Sequence, residues 1–253
     1  MALRHAPDPG APPVAIRPGT APIKPTLGSW YSKTMTSTNW AGYEDIQSNS
    51  YNLVTAVWTV PDVSGPAGSN SAQWIGIGGD TTISANTTLF QTGLQSAINS
   101  YGYPYWDLWY EYVSTNQKTI NPKVLTYNVS PGDVIYAEVV YDGNGTFTPY
   151  IEDETTGTPY AGSAVSTSWT TTYLNSADYI VENPGGCGQP CQPLADFGTV
   201  QFSSAYADQN GTKEPGEYWP YQLDNMVDSW GDATPSGWGA NETSFSVKWS
   251  PGT

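Results

Sequence analysis

Asp133-Val-Ile-Tyr-Ala-Glu-Val-Val-Tyr141 and Thr146-Phe-Thr-Pro-Tyr-Ile-Glu152 flank Asp142-Gly-Asn-Gly145, and this strand–turn–strand pattern decides the fold class. Apolar and polar residues alternate in both runs, as they do when one strand face is buried and the other is not. Asp, Gly and Asn supply the tight connection. The same pattern extends outward through Asn52–Val60, Gln73–Ile77, Thr88–Thr92, Leu108–Val113, Tyr179–Glu182 and Ser244–Trp249. Further turn formers lie at Pro131-Gly-Asp133 and Thr155-Thr-Gly157. Turn signals at this spacing point to an all-β domain, a two-sheet antiparallel β-sandwich of the concanavalin-like or jelly-roll type. No sustained 3.6-residue periodicity appears, and no apolar run is long enough to predict a membrane helix.

Composition agrees with that reading. Gly 26, Pro 21, Tyr 18 and Trp 11 in 253 residues favour short strands and turns over helices. Residues 1–35 differ: they are rich in Pro, Gly and Ala, lack apolar alternation, and hold Arg4, Arg17, Lys24 and Lys33. That composition is expected of a pro-segment or flexible extension, with the folded sandwich at 36–253. A formal net charge of −15 repels nucleic acid and anionic membranes, so neither is an expected partner. Cys187 and Cys191 are too few for a tetrahedral zinc site. A short disulfide pinning a loop is the expectation, with a pair of free thiols as the alternative, and the disulfide points to an oxidising, extracellular location.

Strand parity sorts the polar residues. Trp74, Gly76, Gly78 and Asp80 share a face, as do Leu89, Gln91, Gly93 and Gln95. Asp107, Trp109 and Glu111 oppose Leu108, Tyr110 and Tyr112, and Asp178, Ile180 and Glu182 oppose Tyr179 and Val181. A face of Trp, Gly, amides and carboxylates suits a concave binding surface better than a solvated one. The single histidine, His5, lies in the N-terminal segment, which leaves Ser–His–Asp and Cys–His chemistry without a base in the domain. Asp-Thr-Gly pairs, HExxH and Gly-rich phosphate loops are absent. Carboxylate chemistry remains, with or without an amide partner. A glycoside hydrolase or a non-catalytic carbohydrate-binding sandwich would also fit these faces. Asp107/Glu111 and Asp178/Glu182, however, lie roughly 13 Å apart by strand rise, so a glycosidase pair would have to come from different strands.

Five segments then occur in order: Thr38-Asn-Trp-Ala-Gly42, Trp74-Ile-Gly-Ile-Gly-Gly-Asp80, Leu89-Phe-Gln-Thr-Gly93, Trp109-Tyr-Glu111 and Ala177-Asp-Tyr-Ile-Val-Glu182, followed by Ala195-Asp-Phe-Gly198. Together they resemble the landmarks of the glutamic peptidase (eqolisin) family over roughly Ser37 to Phe202. The resemblance implies a β-sandwich endopeptidase, active in acid and insensitive to pepstatin, with Gln91 and Glu182 as the catalytic pair. It further implies that Trp40, Trp74, Glu111 and Asp178 shape the substrate cleft. Protein or peptide substrates are the expected partners, no metal or cofactor is expected, and the expected state is a monomer. Three positions depart from the pattern. Asp178 stands where the family commonly has Glu, and Gly78 and Gln95 stand where its fungal members carry aspartates. With an ordinary carboxyl pKa near 4, Glu182 would give an acidic working range.

Overall fold

The computed structural model describes residues 32–46, 51–80, 88–114, 120–166, 174–184 and 192–252. Cys187 and Cys191 lie outside these, as does most of the expected pro-segment. Seventeen strands lie among the described residues. The first nine are β1 (Ser32–Ser37), β2 (Trp40–Ile46), β3 (Tyr51–Thr59), β4 (Asn70–Gly78), β5 (Thr88–Ile98), β6 (Pro104–Ser114), β7 (Ile120–Thr126), β8 (Val134–Tyr141) and β9 (Thr146–Asp153). The rest are β10 (Thr158–Ala161), β11 (Val165–Ser166), β12 (Ser176–Glu182), β13 (Thr199–Gln209), β14 (Thr212–Pro215), β15 (Tyr221–Asp228), β16 (Gly231–Pro235) and β17 (Phe245–Pro251). Each run singled out by alternation lies wholly or almost wholly within a strand.

One layer runs β1-β15-β2-β12-β4-β5-β6-β7. The other runs β17-β13-β3-β8-β9, with β10 and β11 on β9 and β14 on β13. Strand β16 pairs with both β15 and β17, so hydrogen bonding continues from one layer into the other and the sandwich is nearly closed. Among the described strands pairing is antiparallel except for β1, which runs parallel to β15, and a single parallel bridge joins Asn70 to Leu194. The boundary expected at residues 35/36 therefore falls inside a strand, since Ser32 to Met35 already pair with Tyr221 to Asp224. The Pro/Gly/Ala-rich composition ends before that point. Lys33-Thr-Met-Thr36 is β-prone, and an exposed lysine suits an edge strand.

The core lies between the layers and follows strand parity. Phe90 stacks on Phe147 at 5.1 Å, and Phe202 on Phe245 at 5.0 Å. Ile75, Ile77, Leu94, Leu108, Tyr179 and Val181 fill the inner face of the first layer. Burial of each large side chain contributes roughly 1.5–3 kcal/mol. The opposite face of that layer carries the Trp, Gly and carboxyl residues.

Candidate active site

Register places the polar face residue by residue. Glu182 on β12 lies opposite Trp40 on β2 and Ala72 on β4. The next row holds Ile180, Trp74, Gly93 and Trp109, and the row after it Glu44, Asp178, Gly76, Gln91 and Glu111. Trp74 therefore lies between the glutamate row and the glutamine row. Gly76 leaves room for its ring, and Gly93 lets the neighbouring strand approach its backbone closely. A Cβ on Gly93 would sit 2.2 Å from Gln73 O and 2.5 Å from Trp74 Cβ; one on Gly76 would sit 3.1 Å from the Trp74 ring. The mixing of Trp with Gly seen along these strands thus has a packing cause.

Two groups of side chains result. In the first, Trp74 Nε1–H donates to Glu182 Oε2 at 2.8 Å and Asn39 Nδ2–H donates to Oε1 at 3.3 Å. Trp40 packs edge-on against Trp74, with ring centroids 5.1 Å apart. In the second, Gln91 Nε2–H donates to Glu111 Oε2 at 2.8 Å, while Gln91 Oε1 is buried without a partner. Charge links the two groups. The Glu182 carboxyl stands at about 7: burial raises it most, the N–H groups of Trp74, Trp40 and Asn39 oppose that rise, and the Glu111 charge adds to it. The Trp40 N–H favours the charge through its dipole without reaching hydrogen-bond geometry. Burial also raises Glu111, and its bond from Gln91 opposes that shift. Burial thus raises Glu182 above the ordinary carboxyl value, although its side chain stays only half-buried.

Asp178 does not join either group. It is fully buried in the Gln91 row, beyond the gap left by Gly76, with neither carboxyl oxygen hydrogen-bonded. Beside it Gln222 Nε2 donates to Glu44 Oε1 at 3.0 Å and to Asp224 Oδ1 at 3.2 Å. Burial first, then the neighbouring acids, raises Asp178 and Glu44 well above the carboxylate range; Asp224 is raised chiefly by burial. This face therefore keeps acidic neighbours despite Gly78 and Gln95, but they come from β2, β12 and β15. Among the described residues no group of His, Cys, Asp or Glu could hold a metal ion.

Sequence reasoning missed Asn39, Glu44 and Asp224. Asn39 stands beside Trp40 in a segment already singled out, so its adjacency was the available signal. Glu44-Asp45 offered another, since adjacent acids inside a strand must place one on each face.

Fold and site together define a member of the Peptidase A4 family: residues 38–228 match it, and the chain belongs to it. Scytalidopepsin B of Scytalidium lignicola is 28% identical over 179 residues, covering 68% of this chain and 64% of that protein. Aspergillopepsin-2 of Aspergillus niger is 28% identical over 196 residues, covering 70% of this chain and 66% of that protein. The chain thus spans just under two thirds of the length of these relatives. A scytalido-glutamic peptidase solved with a transition state analog inhibitor superposes with a TM-score of 0.65 at 24% identity, covering 85% of this chain and 99% of that one. At that identity the likeness establishes the fold.

Proposed function

We propose that this chain is a glutamic endopeptidase in which Glu182 is the general base and Gln91 the oxyanion donor. The observation that carries the reading is the pair of N–H donors on the two oxygens of Glu182, which favour the ionised form of this half-buried carboxyl. Ionised Glu182 takes a proton from a water whose oxygen attacks the peptide carbonyl carbon. Glu111 holds one hydrogen of the Gln91 amide, which leaves the second to donate to the developing oxyanion. Protonated Glu182 then gives its proton to the leaving amine as the C–N bond breaks.

With burial holding the carboxyl near 7, the working range moves up from pH 4 toward weakly acidic conditions, because a protonated base takes no proton. Protein or peptide substrates, a monomeric state and secretion belong to the same proposal. So does a pro-segment role for the residues before Ser32. Cleavage of a denatured protein between pH 3 and 7, with and without pepstatin, tests the reading against Glu182→Gln and Gln91→Ala. Pepstatin-resistant proteolysis lost in both folded variants supports it; full activity in either one overturns the pair.

A further inference from the structure

We propose, resting on Glu182 as the base, that Asn39 is a positioning residue that fixes the orientation and charge state of Glu182, and that Ser37 at the end of β1 fixes Asn39 in turn. Asn39 lies in the bend between β1 and β2. Ser37 Oγ accepts from the backbone N–H of Asn39 at 3.3 Å and of Trp40 at 3.0 Å. The same hydroxyl donates to Asn39 Oδ1 at 3.4 Å, which turns the amide nitrogen toward Glu182 Oε1. From the other side the Asn183 backbone N–H donates to Asn39 O at 2.8 Å. The Asn183 amide in turn donates to Asp228 Oδ2 at 2.8 Å and Gln192 O at 3.0 Å.

Trp74 holds the other oxygen of Glu182. A carboxylate with one donor on each oxygen cannot turn about its last torsion without losing a bond. Asn39 is only half-buried, so packing alone does not call for an amide there. The titratable group acting on Glu182 from β6 is Glu111. On its own strand Asp178 lies four residues earlier on the same face, β2 contributes Glu44 in that same row, and β15 contributes Asp228 behind Asn183. Against these acids, Asn39 is a neutral donor aimed at the charge.

The test is a carboxyl-carbon NMR titration of Glu182, assigned by the signal lost in Glu182→Gln, alongside the pH profile of kcat/KM. Asn39→Ala should raise the Glu182 midpoint by about one unit, as loss of one donor to a carboxylate implies. Asn39→Asp, which keeps the shape, should raise it further by setting a second carboxylate against the first. Ser37→Ala should move it the same way by less. The rising limb of kcat/KM should follow, with about tenfold loss on the limb that shrinks toward the plateau. An unmoved Glu182 midpoint in Asn39→Ala and Asn39→Asp proteins of native circular dichroism overturns the inference. Activity retained in Glu182→Gln would instead remove the catalytic assignment, while the titration still reports whether Asn39 acts on that carboxyl.

Discussion

The Trp74 indole N–H donates to Glu182 Oε2 at 2.8 Å from the strand hydrogen-bonded directly to the glutamate's own. The donor is therefore as rigid as the sheet. A fully buried indole cannot swing away, and its bond to the carboxyl costs no ordering when a substrate arrives.

Trp74→Phe keeps an aromatic ring and removes the donor. The rising limb of kcat/KM should move up by roughly one pH unit, with about 1–2 kcal/mol of stability lost to the smaller ring. Rate profiles and urea unfolding measure the two effects separately. A profile that falls in height without moving along the pH axis would mean that Trp74 only fills space.

Gly93→Ala tests the close approach of β5 to the backbone that carries that indole. The added methyl meets Gln73 O and Trp74 Cβ, neither of which can move without shifting the strand pair. The expected cost is roughly 2–3 kcal/mol in urea unfolding, together with loss of activity. Wild-type stability would contradict the close approach of β4 and β5.

Glu111→Leu removes the acceptor that orients Gln91. We expect kcat to fall about 10- to 100-fold while KM stays within about twofold, because the oriented amide matters most as negative charge develops. Steady-state kinetics on a peptide decides this. A change confined to KM would make Glu111 a substrate contact instead.

Stability should fall as pH rises. Glu44, Asp45, Asp178 and Asp224 are all raised, chiefly by burial, while Asp107 stands at about 6 and Glu182 at about 7. For such groups the folded state binds protons more tightly than the unfolded chain. Their contribution is complete below about pH 4, where both states are protonated, and is lost as pH rises through the folded values. Melting temperatures at pH 3.5, 5.5 and 7.5 should decrease in that order, and Asp45→Asn should flatten the trend. A melting temperature that climbs toward neutrality would contradict this account.

Much of this was legible beforehand because side-chain parity in a strand is a two-state property. Once Trp74 and Gly76 share a face, so must Gly93 and Gln91 on the neighbouring strand. The same reasoning set Glu182 apart from Tyr179 and Val181. Parity says nothing about depth, however. It could not tell that Asp178 is sealed in while Glu182 meets the Trp74 indole, since that depends on which strands lie alongside. Nor did β15, whose Gln222 and Asp224 meet Glu44, stand out as a partner of β2 from so far along the chain. The parallel edge strand β1 escaped notice because Lys33-Thr-Met-Thr36 has no apolar alternation.

Ser37 joins the end of β1 to the bend that presents Asn39, and this sets a limit on how the N-terminus can be trimmed. A cut before Ser37 leaves the serine clamp attached to its asparagine. A cut two residues later severs Asn39 from it and leaves a positive ammonium group on Asn39 itself, the residue whose amide meets Glu182. Any trimming of the N-terminus that keeps this clamp intact has to stop ahead of Ser37.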